Sequence, residues 1–204
     1  MIFHDVEQNT DEWQSLRCGK VTASNFGIIM ANKDGAFGDP AKRYALQIAL
    51  ERITGKKAEY SFKSDHTDRG HEQEPLARMM YEDESFSTMS NGGFFDHGLY
   101  GDSPDGLIGE SGVWEAKSVI ASVHYDNIRR GSFDPSYKWQ LYGHLDCTGR
   151  EWVDFSSFCA EFTPHRQLVT YRVYADSIKD ELKQLQDRRN SFLELVSKIE
   201  AEIK

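Results

Sequence analysis

Cysteine is scarce in this chain: only three occur among 204 residues, at Cys18, Cys147 and Cys159. They are far apart and odd in number, so they form neither a CxxC pair nor a framework of disulfides. The seven histidines are scattered, without an HExxH pattern or a Cys/His cluster, so no zinc site is predicted. This cysteine usage is typical of a reducing compartment, and we expect a cytoplasmic protein.

Long hydrophobic runs are also missing. No apolar stretch reaches the roughly 20 residues that a membrane-spanning helix needs. The first residues, Met1–Asp5, lack a basic segment followed by an apolar one, so we expect no signal peptide and no membrane. The 39% hydrophobic content is that of a globular protein. Without repeats or linkers, residues 1–204 are predicted to form a single domain.

Positive charge is in deficit, because the net charge is −9. This balance argues against binding nucleic acid over the whole surface, although a local basic groove is compatible with it. Any bound nucleic acid is therefore expected in a confined channel. The basic residues that could line such a channel are Arg17, Lys20, Lys42, Arg43, Arg129 and Arg130.

Apolar spacing and capping residues predict seven helices. Their approximate ranges are 10–17, 22–30, 39–54, 69–81, 122–130, 135–146 and 176–199. Asp39 is predicted as an N-cap followed by Pro40 at the first helical position, and Gly55 follows the last residue of that helix. Asp176 is predicted to cap the long terminal helix. Pro75 is predicted either to begin its helix or to kink it.

The rest of the chain favours strands. Residues 85–119 are predicted to form a glycine-punctuated β-meander, and 151–158 and 168–174 are strand-like. Helices thus precede strands, which are followed by further helices, strands and a helix. This order predicts an α+β (α/β) fold with a central mixed β-sheet flanked by helices.

The most informative segment runs from Gly101 to Lys117. Asp105 leaves an extended segment at a turn, and Glu115 and Lys117 lie on the predicted return strand. Because side chains alternate along a strand, Glu115 and Lys117 point to the same face. Carboxylates are the oxygen ligands that Mg²⁺ prefers, and a lysine beside them can orient water or stabilise charge on a phosphate.

The segment has two plainer interpretations. In one, Asp105 and Gly106 form only a turn, and Glu115 and Lys117 face solvent. In the other, Asp102, Asp105 and Glu110 form a calcium loop, but they lack the regular alternation of oxygen ligands of an EF-hand. Asp102 itself is interpreted as a turn residue.

The segments Ser103-Pro104-Asp105-Gly106-Leu107 and Trp114-Glu115-Ala116-Lys117 resemble the motifs of PD-(D/E)XK nucleases. Among these they are most similar to the phage lambda exonuclease and viral recombinase family. The resemblance implies a restriction-endonuclease-like fold and a Mg²⁺ cofactor, which Mn²⁺ can replace. It also implies that Asp105, Glu115 and the Ala116 carbonyl bind the metal and that Lys117 is catalytic.

Two further segments are similar to motifs of that family. In Gly70–Ala77, Glu74 matches a helix carboxylate that joins the metal site, with Glu72 as its competitor; the alternative is an acidic helix N-terminus. In Trp139–Leu145, Gln140 matches a catalytic glutamine able to hydrogen-bond the water or the scissile phosphate. Its alternative is a polar residue at the rim of a buried helix, and Tyr142 and His144 are interpreted as packing or supporting residues.

The segment from Trp13 to Ser24 resembles the family's N-terminal motif. The resemblance implies that Arg17 and Ser24 hold the 5′-phosphate of a DNA end. A guanidinium fork and a hydroxyl near a helix start are suited to phosphate oxygens. The alternative is a capping Thr22 or Ser24 and a surface Arg17.

Together the resemblance implies a 5′-to-3′ exonuclease acting on double-stranded DNA ends. It would release 5′-mononucleotides and leave 3′ single strands for phage-type recombination, in the cytoplasm of a bacterial or phage-infected cell. Family members form toroidal homotrimers and work with a single-strand-annealing recombinase, so both partners are expected here. A structure-specific or restriction-like endonuclease and a non-catalytic module that binds DNA ends remain the alternatives.

Overall fold

The computed structural model describes residues 1–32, 35–58 and 65–204, except for the side chains of 65–71. The helices of this part are α1 Asp11–Arg17, α2 Phe26–Met30, α3 Asp39–Thr54, α4 Asp65–Ser85, α5 Ala121–Arg130, α6 Lys138–Thr148 and α7 Lys179–Ile203. Short 3₁₀ turns precede several of them, at Ala23–Asn25, Pro135–Tyr137 and Ala175–Ile178. The strands are β1 Ile2–His4, β2 Val21–Thr22, β3 Met89–Asn91, β4 Phe94–Asp96, β5 Tyr100–Asp102, β6 Gly106–Ile108, β7 Gly112–Ser118, β8 Trp152–Phe158 and β9 Leu168–Tyr174.

Local chemistry explains several helix ends. The Thr10 side chain caps α1 by accepting a hydrogen bond from the backbone N–H of Trp13. Helix α3 ends at Gly55, whose left-handed backbone (φ 65°) lets its N–H bond the carbonyl of Glu51. The end at Gly55 was predicted from the sequence. At the start of α3, however, Gly38 is the N-cap and Asp39 is already helical.

Two other helix predictions were wrong in detail. Asp176 does not cap the terminal helix: it lies in a 3₁₀ turn and pairs with Lys179, the first residue of α7. Helix α4 extends beyond the predicted range at both ends and contains Pro75 in its interior. Burial of Ala77 and Tyr81 against the sheet stabilises this helix despite the hydrogen bond that the proline removes.

The described strands form two sheets, with the orders β1-β4-β5-β2 and β3-β6-β7-β8-β9. The predicted meander was therefore wrong as a single sheet. Strands β3 and β4 are separated only by Gly92 and Gly93, yet they pair in different sheets. The left-handed backbone of Gly93 (φ 54°) accommodates this sharp change of direction.

The five-stranded sheet is mixed, as predicted. Strands β7 and β8 are parallel, while the other neighbours in this sheet are antiparallel. A parallel pair needs a long crossover, and here α5 and α6 supply it. Helix α6 is the last element of the crossover before β8. The crossover therefore places side chains of α6 over the face of β7.

Helices pack on both faces of the five-stranded sheet. One apolar cluster contains Val113, Phe155 and Leu141 together with residues of α3 and α7. The other contains Trp114 and Phe158 of the sheet and joins them to α4. Residues 113 and 114 thus belong to opposite clusters, as alternation along a strand requires. Among the residues that the structure describes, no helix has both the length and the apolar character needed to cross a membrane.

All three cysteines are free thiols. Cys147 and Cys159 are buried, and Cys18 is partly exposed. Burial raises the pKa of the Cys147 thiol well above its usual value, which keeps it protonated and unreactive. Cys147 and Cys159 therefore act as small packing residues of the interior.

Candidate active site

The β6–β7 hairpin places the acidic residues of the site. Gly106 pairs with Trp114 across the hairpin, and the chain reverses at Gly109 with φ 51°. Asp105 directly precedes β6, and its Oδ2 accepts a hydrogen bond of 2.9 Å from the backbone N–H of Ala116. The loop carboxylate is therefore fixed against the strand that carries Glu115.

Glu115 is the centre of the site and is 1% exposed. Its Oε1 forms an ion pair with Nζ of Lys117, two residues along the same face of β7. The same oxygen accepts a hydrogen bond of 2.6 Å from Nε2 of Gln140 on α6. The structure thus brings Gln140 of α6 to the two residues that the sequence placed on one face of a strand.

Two contacts of His144 were not predicted from the sequence. His144 Nε2 lies 3.0 Å from Glu115 Oε2, and His144 Nδ1 lies 2.7 Å from Asp102 Oδ2. Asp102 is not the turn residue that the sequence suggested, because it ends β5 and is buried. The spacing held one usable signal: His144 follows Gln140 by four residues, which places both on one helix face.

The buried charges shift one another's pKa values. Burial raises the pKa of Asp105, and the nearby Glu115 carboxylate raises it further. Burial would also raise the pKa of Glu115, but Lys117 and His144 outweigh it and bring it to about 2. Burial lowers the pKa of His144, whereas Asp102 and Glu115 raise it to about 10. Neighbouring charges thus set the direction of the pKa shift for Glu115 and His144, whereas burial is the main cause for Asp105.

A cleft of about 1090 Å³ opens over these residues. All the side chains predicted to form the site line this one cleft: Arg17, Ser24, Glu74, Asp105, Glu115, Ala116, Lys117 and Gln140. Asp102, Trp13 and Arg78 also line it. Residues from the first helix, the fourth helix and the central sheet therefore share a single solvent-accessible space.

Helix α4 presents Glu74, and not Glu72, to this cleft. Glu74 lines the cleft, and its charge contributes to the raised pKa of Asp105. Glu72 is exposed and is not among the residues lining the cleft. Gly70 and His71 of the predicted motif lie in the segment whose side chains are not described. The geometry therefore favours Glu74 as the helix carboxylate.

The far wall of the cleft carries Arg17 and Ser24. The Arg17 guanidinium lies 4.1 Å from the centre of the Trp13 ring, and Trp13 Nε1 donates a hydrogen bond of 2.8 Å to Ser103 Oγ. One tryptophan thus links the arginine to the turn that carries Asp105. Burial lowers the pKa of Arg17, while Asp102 among others raises it.

The other basic residues proposed for a channel lie elsewhere. Lys20 forms a 2.6 Å ion pair with Asp96. It and four other candidates are not among the residues lining the cleft: Lys42, Arg43, Arg129 and Arg130. Arg78, which sequence reasoning missed, does line it; its guanidinium bonds the carbonyl of Met89 and lies 3.6 Å from Glu82.

The chemistry of the donor set fits a hard divalent cation. Asp105, Glu115 and Glu74 offer carboxylate oxygens around one cleft, and Mg²⁺ is usually bound through one or two carboxylates and several waters. Glu115 Oε2 is buried and has no hydrogen-bond partner among the described residues. Within that same part of the chain, no three His, Cys, Asp or Glu side chains are already gathered closely enough to hold a metal ion, so these carboxylates line one cleft without forming a preassembled cluster of ligands.

The sequence of the chain matches the model of a described protein family. The family model of the YqaJ-like viral recombinase domain matches residues 12–151, well over half of the chain. No curated protein sequence matches the chain significantly.

Solved structures share the whole fold. The alkaline exonuclease LHK-Exo from Laribacter hongkongensis superimposes with a TM-score of 0.77 at 28% identity, covering 96% of this chain and 100% of that chain. LHK-Exo in complex with dAMP gives a TM-score of 0.80 at 28% identity, covering 95% and 98%. A phage-related exonuclease from Haemophilus somnus 129PT gives 0.71 at 13% identity, covering 91% and 96%, and this likeness concerns the fold alone.

Proposed function

The chain belongs to the YqaJ-like viral recombinase domain family, and we propose that it is a Mg²⁺-dependent 5′-to-3′ exonuclease acting on double-stranded DNA ends. It would release 5′-mononucleotides and leave 3′ single strands. One observation carries the proposal: the carboxylates of the hairpin and the Arg17–Ser24 wall line the same cleft. An alkaline exonuclease with 28% identity over nearly the whole chain supports it.

The metal ligands would be Asp105, Glu115, the Ala116 carbonyl and Glu74, for Mg²⁺ or for Mn²⁺ in its place. When bound, the cation supplies positive charge that stabilises the negative charge developing on the phosphate. The open side of the cleft leaves room for water and for the DNA strand. The site is thus suited to phosphodiester hydrolysis.

Two side chains of the protein, Lys117 and Gln140, would act on the water and the phosphate. Lys117 and Gln140 both reach the Glu115 carboxylate, so they are placed to orient the attacking water and to hydrogen-bond the scissile phosphate. Attack on phosphorus breaks its bond to the 3′-oxygen. The products are a nucleotide with a 5′-phosphate and a shortened strand.

The direction of digestion along the strand would be set by the wall of the cleft that carries Arg17 and Ser24. Arg17 supplies a planar guanidinium and Ser24 a hydroxyl, a pair suited to a terminal phosphate. Trp13 holds that guanidinium and also bonds the turn next to Asp105. Binding of a 5′-phosphate at Arg17 would therefore set the distance from the strand end to the cleaved bond.

We further propose that the chain assembles as a toroidal homotrimer threaded by DNA and cooperates with a single-strand-annealing recombinase. The acidic balance of the chain supports a ring. A net charge of −9 disfavours an open DNA-binding face, and a ring confines the duplex to an inner channel.

The test uses linear duplex DNA with a 5′-phosphate, labelled at either end, and a closed circle, each with Mg²⁺ or EDTA. We expect Mg²⁺-dependent loss of the 5′ label as a mononucleotide, an intact circle and an inactive Lys117→Ala variant. Lys20→Ala, whose lysine pairs with Asp96 away from the cleft, is the active control. Cutting of the circle would indicate an endonuclease instead, and end binding without cleavage would indicate a non-catalytic module.

A further inference from the structure

A chain of three buried ionisable groups lies directly behind the cleft. Asp102, His144 and Glu115 are each at most 2% exposed. His144 uses one ring nitrogen toward each carboxylate, at 2.7 Å to Asp102 and 3.0 Å to Glu115. A histidine between two buried acids is costly to place without a purpose, because every member must be desolvated.

The histidine is held rigidly by its helix. Gly143, its neighbour on α6, leaves no room for a side chain: an added Cβ would lie 2.6 Å from Phe26 and 2.8 Å from Ala23. The Thr148 hydroxyl also donates a hydrogen bond of 2.7 Å to the carbonyl of His144. Because α6 is seated this closely, the imidazole position is fixed by packing and by Asp102 together.

The two carboxylate oxygens of Glu115 have different contacts. Oε1 receives both Lys117 and Gln140, which occupies its two lone pairs. Oε2 has His144 as a charge contact at 3.0 Å and no aligned hydrogen bond among the described residues. Oε2 is therefore the oxygen with capacity left for a cation.

We propose that His144, oriented by Asp102, is a positioning residue that holds Glu115 with Oε2 available to the catalytic cation. The inference rests on the proposed function in so far as Glu115 is a metal ligand there. It assigns to His144 an effect on metal affinity, and not only on folding. Partners behind a metal ligand typically change affinity or activity about 10- to 100-fold when they are lost.

Two conservative variants separate the two ring nitrogens. A glutamine at 144 places its amide nitrogen near the Nε2 position, so it can still donate a hydrogen bond to Glu115. An asparagine is shorter and places its amide nitrogen only near the Nδ1 position, so it can still donate a hydrogen bond to Asp102. His144→Gln and His144→Asn thus retain contact with different carboxylates, and the asparagine is the smaller side chain by one methylene.

The measurement is Mn²⁺ binding by the full-length protein, followed by the electron paramagnetic resonance of free Mn²⁺ and independent of cleavage. We expect His144→Asn to weaken binding about tenfold, and His144→Gln to retain most of the affinity. His124→Asn is the matched control, because His124 is also buried and also bridges two polar groups, Ser157 Oγ and the Arg166 carbonyl. This variant should be less stable than wild type but should bind Mn²⁺ with unchanged affinity.

Equal Mn²⁺ affinity for wild type and both His144 variants, with stability lowered in each, would overturn the role of His144 and leave the nuclease proposal intact. Equal weakening by Gln and Asn would also overturn it, since the Glu115 contact would then not matter. If the wild type bound no Mn²⁺, the metal site itself would be refuted and the proposed function with it.

Discussion

At the residue scale, the site is built around a single carboxylate, that of Glu115. Alternation along β7 was enough to predict that Glu115 and Lys117 share a face, because the period of a strand is fixed by its backbone. The contact between Asp102 and His144 joins residues 42 positions apart, and no local pattern encodes such a pairing. The shared face of Glu115 and Lys117 was therefore predictable from the sequence. The contacts of Asp102 and His144 behind Glu115 became visible only in the three-dimensional structure.

The amide of Gln140 gives the most direct prediction at this scale. Gln140→Ala removes the hydrogen bond to Glu115 and one donor from the cleft, so we expect kcat to fall about 100-fold, as for the loss of one transition-state donor. The measurement is the steady-state release of 5′-mononucleotides from linear duplex.

Gln47→Ala is the matched control for that experiment. Gln47 also donates from Nε2 to a glutamate, Glu51 Oε1, at 2.9 Å, but it lies on α3 away from the cleft. It should lower stability slightly and leave kcat close to that of wild type. Similar losses of kcat in the two variants would mean that Gln140 acts only through general stability.

At the element scale, most helices and the key hairpin were predictable from the sequence, because capping residues and turn glycines act locally. The division into two sheets was not. Strand pairing depends on contacts between distant segments, and the sequence gives no sign that β3 and β4 pair with different neighbours. The result is that Gly92 comes to lie against the turn that carries Asp105.

Gly92 is therefore predicted to be essential for the geometry of the site. An added Cβ would lie 1.6 Å from the carbonyl oxygen of Pro104, so Gly92→Ala must displace the turn next to Asp105. We expect a loss of about 1–3 kcal/mol in the free energy of unfolding, as for other overpacked sites, together with weaker cleavage. Chemical denaturation and the exonuclease assay measure the two effects.

Gly27→Ala is the control for this glycine substitution. Gly27 lies within α2, and an added Cβ there has no neighbour within 4 Å. Alanine is a better helix former than glycine by about 1 kcal/mol, so this variant should be at least as stable as wild type and fully active. A stable and active Gly92→Ala would contradict the packing argument.

A second prediction at the element scale concerns pH. Glu51 on α3 accepts hydrogen bonds from the backbone N–H of Gly19 at 2.9 Å and of Ala58 at 3.1 Å. Burial raises the pKa of Glu51, but these bonds and that from Gln47 outweigh it and hold the pKa below the ordinary 4.5. A lowered carboxylate pKa contributes stability above pH 4.5 that is lost as the pH falls through the lower folded value.

Urea denaturation of wild type and Glu51→Gln between pH 7 and pH 3 tests this. We expect the variant to be less stable at pH 7, because the Gly19 turn after Arg17 loses its anionic acceptor. Its stability should also decline less steeply than that of wild type below pH 4.5. Curves that stay parallel over the whole range would show that Glu51 carries no acid-linked stability.

At the scale of the whole molecule, the fold could be assigned from the sequence because the motifs define it, whereas the assembly could not. The treatment of residues 1–204 as one domain and the homotrimer both stay predictions. If the ring forms, sedimentation equilibrium should give a particle of threefold the 23.4 kDa chain mass. A particle of one chain mass at working concentrations would exclude a threaded ring.

The charge distribution makes a last prediction, on DNA binding. Among the described residues, the cationic side chains lining the cleft are Arg17, Arg78 and Lys117. Each phosphate neutralised contributes about −0.9 to the slope of log K against log salt concentration. Removing a true phosphate contact should therefore reduce the steepness of that slope by about one.

Arg78→Ala and Lys42→Ala separate the cleft from the outer surface. We expect Arg78→Ala to weaken binding to a DNA end and to make the salt dependence shallower by about one, measured by fluorescence anisotropy in EDTA. Lys42→Ala, which removes a charge outside the cleft, should change neither. An effect of Lys42 equal to that of Arg78 would place the DNA on the outer face, and an acidic chain would then need a basic surface that its composition does not favour.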